Sequence, residues 1–406
     1  MTYSEALDWL YATQNFGIKL GLENPTRLLR EYLAFPRHGT RVIQVAGTNG
    51  KGSTCAFIDS LARATGARTG LFTSPHLVSY RERIQVSGQQ IPEEDVARGL
   101  TRLREIVADW ENHPTFFELT LALAMRHFYE RDCELIILEV GMGGRYDATT
   151  AVPADATVLT PVDLDHQQWL GETLAEIAGE KAAIFREGKP ALVAKQEAEA
   201  IPVIEQTANQ TRSPLTWVPE PLLGYPLGLA GPHQSHNAAL ALEAIHSVGF
   251  RLSYDTVLEG LQKARHPGRF EITEKDHQVT VFDIAHNPHA TKSLVATWQE
   301  RFPAIRPALI FGAAGSKDIA TMLALYADWV DQIHFTPINS PRSTPVADLQ
   351  AALPGEAASR VHLHQNVADA LKACAEKSHV LLTGSAFLVG EAKALLSAQP
   401  HQSTSQ

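Results

Sequence analysis

The chain has 406 residues, 44% of them apolar and 20% charged; that is the balance of an ordinary globular protein with room for two or three domains. A formal net charge of −10 argues against a broad nucleic-acid surface, although a local basic pocket is compatible with it. Apolar runs fall far short of the roughly 20 residues a bilayer span needs, Met1 to Leu10 has no signal-peptide pattern, and Cys55, Cys133 and Cys374 show no CxxC spacing; the expectation is a cytoplasmic protein with buried thiols and neither a membrane nor a nucleic-acid partner.

Short β-branched runs alternate with longer amphipathic stretches. Residues 41–47 read as a buried strand, 53–65 as a helix and 69–73 as a strand. Residues 93–110 and 116–129 read as helices, 134–141 and 157–162 as strands, 173–185 as a helix and 190–195 as extended. This alternation predicts a doubly wound, mostly parallel α/β sheet covered on both faces. A second alternation begins near Phe270, with strands at 279–284, 308–312, 332–336, 360–364 and 380–384. Helical patterns lie between them at 289–301, 319–330, 367–376 and 388–396. The expected domains are therefore 1–268 and 269–406, with the turn residues His266-Pro267-Gly268-Arg269 as a hinge. The tail from Gln399 to Gln406 is polar and is expected to fray.

The most specific feature is Gly47-Thr48-Asn49-Gly50-Lys51-Gly52-Ser53-Thr54, which follows a strand and opens a helix. Glycines let backbone N–H groups converge on phosphate oxygens, and a helix N-terminus favours negative charge. Lys51 would reach the outer phosphates of ATP and the Ser53 hydroxyl would ligate Mg²⁺. The loop is shorter than GxxxxGK[ST] and has a glycine after the lysine.

This loop resembles that of the Mur ligase superfamily, and within it the folylpolyglutamate and dihydrofolate synthases. The likeness extends through Gly17-Ile18-Lys19-Leu20-Gly21-Leu22, Phe72-Thr73-Ser74-Pro75-His76-Leu77 and Arg81-Glu82-Arg83-Ile84. It continues in Pro114-Thr115-Phe116-Phe117-Glu118, where Leu121 stands in place of a threonine common in relatives. Glu139-Val140-Gly141-Met142-Gly143-Gly144-Arg145, ending Asp147-Ala148-Thr149-Thr150, is similar to a family segment that closes on asparagine rather than Thr150. The run from Asp163 to His166 with Trp169-Leu170-Gly171, the stretch from Glu180 to Phe185, and the helix opening from Gly231 to Ala239 follow in the family's order. Pro267-Gly268-Arg269-Phe270-Glu271, Phe282-Asp283-Ile284-Ala285-His286-Asn287-Pro288 and Gly384-Ser385 complete it.

The resemblance implies a P-loop-containing central domain of the Mur-ligase kind and a smaller Rossmann-like C-terminal domain. It implies that Ser53, Ser74, Glu139 and His166 hold two Mg²⁺ ions, that Lys181 is carbamylated, and that Asn237 meets the adenine edge. Arg269 would clamp the γ-phosphate, Asp283 would bind ribose or nearby groups, and His286 would sit near the phosphates. The implied reaction activates a folate or dihydropteroate carboxylate with ATP and joins it to L-glutamate, in a monomer. A Mur peptidoglycan ligase, a regulatory P-loop switch and a non-catalytic binding module are the rival readings. The first would carry a further domain ahead of the loop, and the second would have no use for Arg269, Asp283 and His286.

Overall fold

The computed structural model describes residues 1–16, 21–315 and 318–402. Of the predicted recognition segment, Gly17, Ile18, Lys19 and Leu20 lie outside these, as do residues 403–406 of the tail. The chain divides into two compact units. One comprises Met1–Ser74, Arg81–Gly228 and Gln234–Arg265; the other comprises Pro75–Tyr80, Leu229–His233 and His266–Gln406.

The first unit is built on an eight-stranded sheet. Its strands are β1 (Arg41–Ala46), β2 (Thr69–Phe72), β3 (Ile84–Val86), β4 (Gln89–Gln90), β5 (Leu135–Glu139), β6 (Ala156–Leu159), β7 (Ala191–Ala194) and β8 (Leu215–Val218), in the spatial order β4-β3-β2-β5-β1-β6-β7-β8. From β2 to β8 neighbours pair in parallel, while β3 and β4 form an antiparallel edge. The central strands are buried along their length and rich in Val, Ile and Leu, as expected where helices cover both faces. From β1 the chain runs through the helix Lys51–Ala64 to β2, and β5 then sits between β1 and β2. The next strand, β6, lies on the far side of β1, so the chain reverses direction beside β1. A reversal of this kind opens a crevice at the carboxyl ends of parallel strands.

The second unit holds six strands: β9 (Glu271–Lys275), β10 (Gln278–Phe282), β11 (Ala308–Phe311), β12 (Gln332–Phe335), β13 (Val361–Leu363) and β14 (His379–Thr383). Their order is β13-β12-β11-β14-β10-β9, parallel except for the β9–β10 pair. Successive strand residues point to opposite faces. Val281, Leu309 and Leu381 join the apolar cluster around Trp298, Phe311 and Tyr326, whereas Phe282, Ile310 and Leu382 join a second cluster with Leu388 and Val389. Burial on both faces makes this a doubly covered sheet, and the α/β fold class stands.

Several elements end sooner than the periodicity predicts. The helix expected over 93–110 is Glu93–Ile106, and the strand expected over 157–162 stops at Leu159. The expected fraying of the tail fails for its first residues. Gln399 N–H donates to Ala394 O at 3.0 Å and Gln402 N–H to Val78 O at 2.9 Å. Cys55, Cys133 and Cys374 are free and buried. Among the described residues, no helix is long and apolar enough to cross a membrane.

Candidate active site

Four adjacent parallel strands, β2, β5, β1 and β6, lead at their carboxyl ends to Ser74, Glu139, the Gly47–Thr54 loop and His166, while Lys181 and Asn237 lie on helices. β1 leads directly into the loop of Gly47, Thr48, Asn49 and Gly50, and the helix Lys51–Ala64 begins at once. Gly47 has φ +140°, and a Cβ there would overlap Thr160 just beyond β6. Only glycine takes both that backbone and that approach without strain. The loop is fastened to the same segment by Thr48 N–H to Pro161 O (2.9 Å), Thr48 Oγ1 to Asp163 O (3.0 Å) and Asp163 N–H to Thr48 Oγ1 (3.0 Å). Ser53 and Thr54 are buried in the first helical turn.

Two ammonium groups meet at this loop. Lys51 Nζ donates to Gly47 O (3.0 Å) and Thr48 O (3.2 Å), and Lys181 Nζ donates to the same Gly47 O at 2.9 Å. Lys181 lies on the helix Leu174–Ala182 and is 3% exposed. Burial and the neighbouring Lys51 charge push its pKa down to about 7, against weaker opposing pulls from Asp165 and Asp147. An amine with that pKa is largely uncharged just above neutral pH.

The buried Glu139 closes β5, and its Oε2 accepts the Ser74 N–H at 2.9 Å. The structure therefore brings Ser74 and Glu139 together. The turn after β5 is pinned by Asp147, whose Oδ2 accepts the N–H of Gly141 (3.0 Å) and Met142 (3.1 Å). Burial raises the Asp147 pKa, and hydrogen bonds from Thr149, Met142 and Gly141 oppose the rise. His166 is placed differently. It has φ +51° ahead of a short helix, its side chain is 43% exposed, and its Nε2 lies 3.7 Å from Asp165 Oδ2. Among the described residues, no three or more His, Cys, Asp or Glu side chains converge as a metal cage.

Asn237, on the helix Gln234–Ser247, is buried close to the loop: a Cβ on Gly50 would come within 2.7 Å of Asn237 Oδ1. Its Nδ2 donates to Gln234 Oε1 (2.9 Å), and Gln234 Nε2 reaches Ser53 Oγ (3.4 Å). The brace residues Thr160, Pro161 and Asp163 and the partner Gln234 are contributors that pattern reading does not assign. Their roles arise from tertiary approach, for which spacing carries no signal.

In the second unit, β10 leads into Asp283. Both Asp283 oxygens accept backbone N–H groups, from Phe270 (2.8 Å) and Ala285 (2.8 Å). Burial raises the Asp283 pKa and the nearby Arg269 guanidinium opposes this. His286 Nδ1 lies 2.9 Å from Ile284 O, and Asn287 caps the helix Pro288–Arg301 through Ala290 N–H at 2.8 Å. Gly384, after β14, donates to Ala285 O at 3.1 Å, so the two strand-end segments lie side by side.

A strand–loop–lysine–helix unit followed along the chain by a second α/β unit is the ground plan of an ATP-dependent ligase of the Mur kind. The sequence matches the Mur ligase middle domain over residues 45–218 and the Mur ligase, glutamate ligase domain over residues 268–386. A Bacillus subtilis (strain 168) dihydrofolate synthase/folylpolyglutamate synthase is 32% identical, over 96% of this chain and 98% of the relative. A Yersinia pestis bifunctional folylpolyglutamate synthase/dihydrofolate synthase complexed with AMPPNP and Mn ion has 30% identity and a TM-score of 0.86, covering 98% of each chain. An Escherichia coli structure in complex with DHPP and ADP has 30% identity and a TM-score of 0.83, covering 98% of this chain and 99% of that one. The chain belongs to the dihydrofolate synthase/folylpolyglutamate synthase family.

The buried Lys181 has a stability consequence. Its folded pKa of about 7 lies below the ordinary 10.5. Between those values the unfolded chain holds a proton that the folded chain does not, so stability rises with pH across the window. Below the lower value the cost of burying the charge is fully expressed. In carbon-dioxide-free buffer, denaturant titrations of the parent and Lys181→Met should show the parent gaining on the variant from pH 7 to pH 10. A constant difference across that range would contradict a buried amine titrating near 7.

Proposed function

We propose that the chain is an ATP-dependent ligase that adds L-glutamate to folates and also to dihydropteroate, working through an acyl phosphate with release of ADP and phosphate. The observation that carries the reading is the braced Gly47–Thr54 loop with Lys51 and Lys181 both at the Gly47 carbonyl. ATP and a divalent metal are the cofactors, and the substrates are small molecules.

A substrate carboxylate oxygen attacks the γ-phosphorus of ATP, and the bond to ADP breaks with its electron pair on ADP. The glutamate amine then attacks the acyl carbon, phosphate departs with the C–O pair, and the amine proton is released. The protein's task is positioning and charge stabilisation. The loop N–H groups and the Lys51 ammonium are proposed to hold the phosphates, with Asn237 on the adenine edge. Arg269 and His286 are proposed for the phosphates, and the boundary between the two functional domains is proposed at residues 268 and 269. Asp283 is committed to two N–H groups of its own unit, so its proposed ribose contact would use the remaining lone pairs.

The donors Ser53, Ser74 and Glu139 are oxygen groups, and Glu139 is a buried carboxylate that a hard cation would balance. These residues fit magnesium, with His166 proposed for a second ion. Magnesium, when bound, neutralises charge on the phosphates. Lys181 is proposed to be carbamylated: the neutral Nζ attacks carbon dioxide, an N–C bond forms and a proton leaves, so an anion replaces a cation beside Lys51.

The direct test is ADP release with ATP, Mg²⁺ and glutamate, with dihydropteroate and tetrahydrofolate offered in parallel. Turnover with both is expected, and Lys51→Ala should lower it at least about 100-fold in protein that still folds. Failure with both acceptors would overturn the substrate assignment. For Lys181, ¹³C-bicarbonate should give a protein carbamate signal absent from Lys181→Ala. Stripping carbon dioxide should slow the parent reversibly and leave the variant, already slow, unaffected by bicarbonate. A parent without the signal and with full activity would exclude the carbamate.

A further inference from the structure

Between Ile43 and Val45 in β1 stands a glutamine, Gln44, that is 0% exposed. A strand buried on both faces has no packing need for an amide. Gln44 Nε2 donates to two hydroxyls, Thr149 Oγ1 at 2.9 Å and Thr150 Oγ1 at 2.8 Å. A hydroxyl has one proton to give, and each of these passes it on. Thr149 Oγ1 donates to Asp147 Oδ1 at 2.5 Å, and Thr150 Oγ1 donates to Gly144 O at 2.7 Å. Both amide protons of Gln44 therefore serve the stretch from Gly144 to Thr150. Thr150 is also the position at which the chain departs from the asparagine of the family segment.

The same stretch packs on the helix that carries Lys181. A Cβ on Gly144 would overlap Glu180 O and Lys181 O. Arg145 N–H donates to Glu180 O at 3.0 Å, and Arg145 Nε to Glu180 Oε1 at 2.7 Å. Arg186, just past the helix, donates to Thr150 O. The Lys181 side chain then reaches Gly47 O, and Gly47 follows Gln44 along the same strand and loop. The contacts close a ring: Gln44, Thr150, Gly144, Lys181, Gly47, and back along β1. Every member lies in the first compact unit. Gln44, Thr149 and Thr150 are buried, so a donor removed from the chain leaves an acceptor unmatched out of water, which is costly.

We propose that Gln44 and Thr150 are positioning residues for the ligase reaction: the bonds from Gln44 through Thr150 to Gly144 set where the Lys181 amine stands at Gly47 O, and so govern its reaction with carbon dioxide. The inference rests on the reading of Lys181 as the carbamylated residue. In that reaction the Nζ lone pair forms the N–C bond, one C–O π pair moves onto oxygen, and an N–H proton leaves.

The test titrates the full chain with ¹³C-bicarbonate, reads the protein carbamate signal by nuclear magnetic resonance, and follows amide hydrogen exchange at Arg145 and along β5. Four variants are compared with the parent: Gln44→Met, Thr150→Val, Thr150→Ser and Lys181→Ala, the last identifying the signal. Gln44→Met and Thr150→Val break the bond chain and leave Lys51, Asp165 and Asp147, the charged groups around the amine, in place. Both should need roughly 5-fold more bicarbonate for half of the signal, the scale of one hydrogen bond. Both should exchange faster at Arg145 and at the parental rate along β5. Thr150→Ser, which keeps the hydroxyl, should lie close to the parent. Parental bicarbonate titrations in Gln44→Met and Thr150→Val would overturn the positioning role and leave the carbamate reading standing. A weaker signal accompanied by faster exchange along β5 would overturn it too, because the whole sheet would then have loosened. A parent without the signal would remove the carbamate reading and this inference with it. If Gln44→Met does not fold, Thr150→Val against Thr150→Ser decides the matter alone.

Discussion

The Gly47 carbonyl accepts from two ammonium groups, Lys51 and Lys181, the second of them buried. Two like charges at one acceptor repel, and burial removes the water that would screen them. Lys181 can relieve this by losing its proton, a loss that burial and the Lys51 charge favour by pushing its pKa down to about 7. Once neutral it is a nucleophile, and an adduct that turns it into an anion would convert the repulsion with Lys51 into attraction. The loop's other constraints serve the same point. Gly47 has no side chain because Thr160 occupies the space, and Thr48 is bonded into the segment after β6, so the carbonyl cannot swing away.

That arrangement depends on the strand order. β1 lies between β5 and β6, so the loop after it has Glu139 on one side and the Thr160-to-Asp163 segment on the other. Backbone amides then do much of the fixing. Ser74 N–H holds Glu139, Gly141 and Met142 N–H hold Asp147, and in the second unit Phe270 and Ala285 N–H hold Asp283. Each of these carboxylates gains partners that offset its loss of water and loses conformational freedom in return.

The buried central strands were legible because both faces are apolar, so runs such as Leu135–Leu138 stand out. Of the four edge strands only β13 was, over 360–364. β4 is Gln89–Gln90, β9 alternates weakly through exposed Glu274 and Lys275, and β8 is only half-buried; an edge strand needs no apolar face and so can leave little pattern. The predicted extent of the helix over 93–110 ran past Ile106 because Val107 and Trp110 continue the apolar spacing, although they pack beyond the helix end. At the site, the loop glycines, Lys51 and Glu139 were readable from local order. The bracing by Thr160, the Gln234 link to Ser53, and the Gln44 link to Thr150 join residues 100 or more positions apart in sequence, and a single sequence carries no trace of them.

Every role proposed for these residues follows from carboxylate activation by ATP. The most direct measurement supplies a folate or dihydropteroate substrate labelled with ¹⁸O in its carboxylates, with ATP, Mg²⁺ and glutamate, and follows the label by mass spectrometry of the released phosphate. An acyl phosphate requires that one carboxylate oxygen leave with each phosphate, so labelled phosphate should accumulate in step with ADP and amide product. Unlabelled phosphate alongside amide product, or AMP and pyrophosphate in place of ADP, would contradict the account.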